Sequence, residues 1–350
     1  MRIAQVAPLA ESVPPRLYGG TERVVYYLTE ELVRRGHKVT LFASAGSRTS
    51  ARQVLFGDAP LRFAGVQDPL PYTLAHLGHV FRHAQEFDLI HCHVDYLAFP
   101  FCGLVSTPVL HTLHGRLDLP DIAPAFRAFP DLNLVAISHA QRRQQPQAPW
   151  RAVVYHGLPA DLYRFRPGGG GYLVFLGRLS PEKRPDLAIE VAKLAGIPLK
   201  IAAKVDAFDR DFFQREVRPR MDHPLIEFLG EVDDGGKEEL LGGALGLLFP
   251  VDWPEPFGLT IIEPLACGTP VESRPCGSVP ELEVDGVTGY LGRTLDELAA
   301  AVRRLERLDR AACRAHFQRH FTAETMASRY EAVYAELAQS APPSPVARAA

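Results

Sequence analysis

Tyr163-Arg-Phe-Arg-Pro-Gly-Gly-Gly-Gly-Tyr-Leu-Val-Phe-Leu-Gly-Arg178 divides this chain in two. A proline and four consecutive glycines have the chemistry of a linker rather than of an element interior. Directly behind them Tyr172–Leu176 is a short apolar run, a glycine turn follows, and Pro185–Ala195 has apolar residues at helical spacing. Strand, turn, helix in that order is one unit of a parallel sheet. Towards the C-terminus the alternation continues with strand candidates at Leu199–Ala202, Ile226–Leu229 and Gly246–Phe249 and a helix at Thr260–Cys267. Towards the N-terminus the same pattern occurs independently, with strand candidates Ile3–Ala7, Lys38–Phe42, Leu89–Cys92, Val109–Leu113 and Leu134–Ile137 and a helix at Thr21–Arg35 closed by Gly36. The reading is two α/β domains, residues 1–166 and 167–322, with a cleft between them as the natural place for a ligand. Ala323–Leu337 has helical spacing, and Ala341-Pro-Pro-Ser-Pro-Val reads as a loose tail. A length of 350 residues suits two domains of ordinary size.

Composition narrows the function classes. With 38 basic against 41 acidic side chains the net charge is −3, which gives nucleic acid no footprint to bind. The first residues are too short an apolar run for a signal peptide, and no window reaches the ~20 apolar residues of a membrane span, so a cytoplasmic protein is expected. Five cysteines, odd in number and without a C-x-x-C pair, suggest reduced thiols rather than disulfides or a zinc ribbon.

Two turns have the chemistry of an anion site. Tyr18-Gly19-Gly20-Thr21 precedes the first helix, where two glycines let backbone approach a ligand and free N–H groups meet an anion; equally, Thr21 could simply cap that helix. The second strand ends Leu41-Phe-Ala-Ser44 without the acidic residue that holds an adenine ribose, which weakens a dinucleotide reading. In Gly177-Arg178-Leu-Ser-Pro-Glu182-Lys183-Arg184, Arg178 and Lys183 place two cations at the carboxyl edge of a strand. They suit a pyrophosphate and the charge that builds on a diphosphate leaving group, or form a solvated basic turn with Glu182 as local partner.

The most informative motif is Phe249-Pro-Val-Asp-Trp-Pro-Glu255-Pro-Phe-Gly-Leu-Thr-Ile-Ile-Glu263-Pro-Leu-Ala-Cys-Gly268. Prolines 254 and 256 and Gly258 keep Glu255 in a loop, while Thr260–Glu263 has the spacing of a capping box. Glu263 is then expected in the first turn, with Pro264 near the helix start and Gly268 as its left-handed cap. Two carboxylates and exposed N–H groups so close together can bind the hydroxyls, phosphates and ribose of one ligand.

These motifs in this order resemble the family 4 retaining glycosyltransferases of GT-B fold. The resemblance rests on Tyr-Gly-Gly-Thr-Glu-Arg at 18–23, His-Gly at 114–115, the Gly-Arg…Glu-Lys turn at 177–183, Glu255 and Glu263 around Pro-Phe-Gly-Leu, and Gly-Ser-Val-Pro-Glu…Asp-Gly-Val-Thr-Gly at 277–289. It implies two Rossmann-like domains facing a central cleft, the first on the acceptor side and the second binding the donor, with the final helix crossing back to the first. It implies donor-diphosphate contact by Gly19 and Gly20, phosphate binding by Arg178 and Lys183, ribose binding by Glu263 and contact of Glu255 with the transferred sugar. Phe257, Gly258, Leu259 and Thr260 would add main-chain contacts, and His114 would line the donor sugar. The implied reaction retains configuration by a front-face path in which the leaving phosphate receives the acceptor's proton, with no cofactor and no metal. UDP-glucose is the favoured nucleotide sugar and GDP-mannose the next. The acceptor, a small molecule, a glycan or a lipid-linked sugar, docks around residues 44–130, and membrane contact through arginines such as Arg142, Arg143 and Arg151 is at most peripheral. One departure is Glu272, a carboxylate in a strand that relatives keep apolar.

Two rival readings remain. His91-Cys-His93-Val-Asp95 has a spacing known from zinc hydrolases, with both imidazoles on one side of a strand, although Tyr96 stands where a further ligand is needed. Alternatively the chain binds a sugar nucleotide without catalysing transfer.

Overall fold

The computed structural model describes residues 1–17 and 19–340. Tyr18 of the glycine motif and the proline-rich tail from Ala341 lie outside the described residues. The chain forms two compact units, Met1–Gly157 together with the chain from Ala323, and Leu158–Thr322.

The first unit is built on a parallel sheet of seven strands: β1 (Arg2–Val6), β2 (Lys38–Ser44), β3 (Arg52–Phe56), β4 (Leu89–Cys92), β5 (Val109–Thr112), β6 (Leu134–Ala136) and β7 (Trp150–Val153), in the order β3-β2-β1-β4-β5-β6-β7. The second carries six parallel strands, β8 (Leu173–Arg178), β9 (Leu199–Lys204), β10 (Ile226–Gly230), β11 (Gly246–Phe249), β12 (Val271–Ser273) and β13 (Gly289–Leu291), ordered β10-β9-β8-β11-β12-β13. Central strands are buried on both faces and read as near-continuous apolar runs, which is why sequence alone finds them. The edge strands β3 and β7 are partly exposed and β13 is three residues long, so none of these presents such a run.

Each sheet reverses its strand order once, between β1 and β4 and between β8 and β11. Loops leaving the carboxyl ends of two such strands diverge to opposite sides, and the crevice they leave is where open α/β sheets bind ligands. Every motif singled out in the sequence follows one of these strands or an immediate neighbour.

The domain boundary differs from the expected one. The chain leaves the first unit after Gly157, not at residue 166. Leu158 N–H donates to Phe321 O at 2.9 Å, Arg166 N–H donates to Cys267 O at 3.0 Å, and Tyr163 is 1% exposed. The stretch ahead of the glycines is therefore held by the second unit, and linker composition marks only its end.

The last helix, Ala323–Ser340, belongs to the first unit. Arg35 pairs with Glu331 at 2.7 Å and His37 Nε2 lies 2.8 Å from the same carboxylate, while Tyr330 and Tyr334 are fully buried. All five cysteines are free. No described helix is long and apolar enough to cross a membrane.

Glu272 lies in β12, 1% exposed, between Leu248 of β11 and Tyr290 of β13 in register. Neither carboxylate oxygen has a hydrogen-bond partner, and burial, with Glu283 and Asp285 nearby, raises its pKa well above the ordinary carboxylate range.

Candidate functional site

In the second unit, β8 delivers Arg178 at its carboxyl end, and a tight turn over Pro181–Lys183 leads into the Pro185–Ala195 helix. Across the reversal, the loop after β11 delivers Glu255. Lys183 Nζ lies 2.5 Å from Glu255 Oε2, with its cation 5.3 Å from the Phe249 ring centre and 5.1 Å from that of Trp253. Trp253 Nε1 donates to the same carboxylate oxygen at 2.8 Å, and Asp252 N–H donates to Glu182 O at 2.9 Å. Both side chains of the pair are largely buried, 17% and 9% exposed. Partial desolvation strengthens the attraction and fixes the ammonium where the two loops meet.

The loop is held from below by a turn that the sequence reading used only as part of a motif. Ser278 N–H donates to Glu255 O at 2.9 Å and Ser278 Oγ–H donates to Phe257 O at 2.6 Å. Gly277 has φ +58°, and a Cβ there would stand 2.3 Å from Glu255 N, so only glycine fits. A Gly277→Ala variant is expected to stay folded yet displace Glu255 and lower turnover about tenfold or more, read as kcat against thermal midpoint.

Three expectations are corrected. The helix runs Leu259–Cys267 with Gly258 as a left-handed N-cap and no side-chain cap, so Thr260 and Glu263 form no capping box. Because the helix starts one residue earlier, Glu263 falls in its second turn and turns inward: 3% exposed, it accepts from Lys237 Nζ at 2.9 Å and from Tyr163 OH at 3.5 Å. Pro264 lies inside the helix rather than at its start, which removes the N–H that would reach the carbonyl four residues back. Gly268 does close it in the left-handed conformation, with φ +83°. Phe257 is buried at the helix entrance, and the N–H groups of Leu259 and Thr260 lie in the turn where a helix has no internal acceptor.

Nor are the two cations unpaired. Arg178 bridges Glu182 at 2.6 Å and Asp209 at 3.3 Å, while Lys183 takes Glu255. The structure thus joins Lys183 to Glu255, and Glu263 to Lys237. Asp209 and Lys237 escaped sequence reading because they come from distant loops with no motif of their own.

In the first unit, Gly19 is the N-cap of the Gly20–Arg34 helix, at φ +152°, with the Pro15 ring where a Cβ would go. Thr21 makes no capping bond, so that alternative fails. His114, after β5, stacks on His156 with ring centres 5.1 Å apart, and its Nε2 lies 2.9 Å from His93 Nδ1. His91 and His93 do share a side, ring centres 4.0 Å apart, but hydrogen bonds use both nitrogens of each. Asp95 is turned to the His114 N–H at 3.3 Å. Among the described residues no group of three or more His, Cys, Asp or Glu side chains could hold a metal ion. The zinc reading is therefore corrected: the motif is a packed polar core, its lone pairs occupied.

Burial holds these imidazoles neutral. The pKa of His111 and of His114 is pushed down to about 3 and that of His76 to about 4, and His91, His93 and His156 are well below the ordinary 6.5. A depressed folded-state value gives stability that is complete above pH 6.5 and is lost as pH falls through the window down to the folded values. Acidification from pH 7 to 4 is expected to unfold the first unit, with the histidine resonances titrating in the same step; retention of its structure at pH 4 would contradict this.

A family model described as "Glycosyl transferases group 1" matches residues 165–319, and one described as "Glycosyltransferase Family 4" matches residues 18–157. The phosphatidyl-myo-inositol mannosyltransferase of Mycobacterium leprae is 27% identical over 330 residues, 86% of either chain. Among solved structures, the sucrose-phosphate synthase of Thermosynechococcus elongatus superposes with TM-score 0.81 at 19% identity, over 97% of this chain and 100% of that one. Anabaena HepE in complex with UDP and glucose superposes with TM-score 0.74 at 20% identity, over 96% and 99%.

Proposed function

The chain belongs to the family 4 glycosyltransferases and has the GT-B fold, and on that premise we propose that it transfers a hexose from a nucleoside-diphosphate sugar to an acceptor hydroxyl with retention of configuration. The observation that carries the reading is the Lys183–Glu255 pair, spanning the strand-order reversal of the second sheet beside the start of the Leu259–Cys267 helix. A diphosphate there meets the Lys183 ammonium and the first N–H groups of that helix, with Arg178 close by on β8. These groups stabilise the charge that grows on the leaving phosphate as the sugar–oxygen bond breaks. Glu255, held by Lys183 and Trp253, accepts from hydroxyls of the hexose; Glu263, oriented by Lys237, accepts from the ribose. We assign Gly19 and Gly20 to the donor diphosphate and His114 to the donor sugar on the family resemblance of their motifs. The departing phosphate oxygen takes the acceptor's proton, so neither a protein nucleophile nor a metal is needed.

UDP-glucose is the favoured donor, supported by the Anabaena structures with UDP, glucose and UDP-glucose. GDP-mannose is next, supported by the mannosyltransferase relative. The acceptor is a hydroxyl compound, small, glycan or lipid-linked, without nucleic acid. The test is a thermal-shift series with UDP-glucose and GDP-mannose after dialysis against a chelator, paired with nucleotide release in the absence of acceptor. A donor at 100 times its Kd raises stability by about 2.7 kcal/mol. Shift together with slow release supports a transferase; shift with no release at any enzyme concentration supports a binding protein; no shift with either donor refutes the assignment.

A further inference from the structure

His114 and six side chains behind it form a continuous chain of hydrogen bonds through the first unit. His114 Nε2 lies 2.9 Å from His93 Nδ1, and His93 Nε2 lies 2.8 Å from Gln5 Oε1. Gln5 Nε2 lies 3.3 Å from Tyr334 OH, Tyr334 OH 2.8 Å from His91 Nδ1, His91 Nε2 2.7 Å from Thr112 Oγ1, and Thr112 Oγ1 2.9 Å from Tyr330 OH. Every member behind His114 is at most 1% exposed. With water excluded, each group must find its partner within the chain.

The protons in this chain are not independent. Burial keeps all three imidazoles neutral, so each has one N–H and one bare nitrogen. Gln5 Oε1 only accepts, which puts the His93 proton on Nε2 and leaves Nδ1 bare. That bare nitrogen must accept from His114, which puts the His114 proton on Nε2. On the other side Gln5 Nε2 donates to the Tyr334 oxygen, Tyr334 OH donates to His91 Nδ1, and His91 Nε2 donates to Thr112. From His114 to Thr112 every donor then points away from His114, and both nitrogens of His91 and of His93 are used. Reversing any of these links requires turning the Gln5 amide over and reversing the others; the last one, between Thr112 and Tyr330, can run either way. One nitrogen is left over: His114 Nδ1 is buried and has no partner.

We infer that Gln5, acting through His93, is a positioning residue that fixes His114 as its Nε2–H tautomer, so that His114 Nδ1 offers a lone pair to a hydroxyl of the bound donor hexose. The inference rests on the proposed place of His114 beside that sugar. In this tautomer His114 accepts from substrate and has no proton on Nδ1 to give the departing phosphate. A hydroxyl fills the lone pair, and a deoxy sugar leaves it buried and unmet, which is a strong basis for selection.

The test is 15N NMR of the full-length chain labelled at histidine, without any nucleotide, at pH 7, with His114 assigned by its loss in His114→Gln. The expected result is a protonated Nε2 and a bare Nδ1, the latter far downfield. A protonated Nδ1 overturns the inference. In Gln5→Leu the carbonyl that sets the direction is gone, so the two His114 nitrogens should move towards averaged positions, and kcat/KM for UDP-glucose should fall about tenfold, the equivalent of one hydrogen bond. Tyr334→Phe keeps the ring and removes the acceptor that holds the Gln5 amide, and gives the same readout should Gln5→Leu fold poorly. A His114 spectrum unchanged in both folded variants also overturns it, since a merely structural role would lower the thermal midpoint without altering the tautomer. Because the spectra need no donor, their outcome is separate from that of the nucleotide-release assay.

Discussion

Lys183→Ala is expected to lower kcat for donor cleavage by about 10²–10³, the usual effect of removing one preorganised group from a developing anion. The geometry adds a second cost. Glu255 is 7% exposed, and without the ammonium 2.5 Å away its charge is left with the Trp253 N–H among apolar surfaces. An uncompensated buried charge of this kind costs about 3–5 kcal/mol, so stability of the second unit should fall along with activity. Glu255→Gln separates the two effects, because it removes the charge and keeps the hydrogen-bonding shape. In Glu255→Gln/Lys183→Ala the stability loss should largely disappear while the activity loss remains. Steady-state kinetics and denaturant midpoints of the four proteins give the coupling directly. Independent, additive stability losses would show that the pair is not the unit described.

Glu272→Leu is expected to stabilise the protein, by about 2–3 kcal/mol or roughly 5–10 °C in the second unit's midpoint. The carboxyl is buried in β12 with both oxygens unpartnered, so a near-isosteric apolar side chain removes a penalty and loses no bond. The sign with pH follows from its raised pKa. The native state holds the proton to higher pH than the unfolded chain, so stability is complete below the ordinary 4.5 and is lost as pH rises towards the folded value. The advantage of the leucine variant should therefore widen from pH 5 to pH 8 in denaturation series. Glu283, fully buried and raised likewise although it accepts from Ser273 Oγ at 2.5 Å, leaves part of the slope behind. The two units thus respond oppositely: buried histidines penalise acid in the first, buried carboxyls penalise base in the second.

Much of this was legible because central parallel strands are continuous apolar runs and the site loops follow them. Leu89–Cys92, Gly246–Phe249 and the Pro185–Ala195 helix stand where patterning puts them. Thr260–Glu263 misled because a capping-box spacing is also what a buried helical glutamate one turn in produces. Glu272 drew notice as a carboxylate in an apolar strand, and the structure supplies no partner for it. The hydrogen-bond chain behind His114 was illegible. Gln5, Thr112 and Tyr334 have no motif, and they meet only because β1, β4, β5 and the last helix pack together. The H-x-H-x-D spacing pointed to the right histidines and the wrong chemistry, since spacing places ring nitrogens but says nothing of what fills them.

The return of the Ala323–Ser340 helix to the first unit has a consequence for biosynthesis. Gln5 is translated before the whole of the second unit and Tyr334 after it. The second unit is one uninterrupted stretch and can close as soon as it is made. The sheet of the first unit is translated before the second unit and completed after it, its polar interior waiting wet until two tyrosines arrive to seal it.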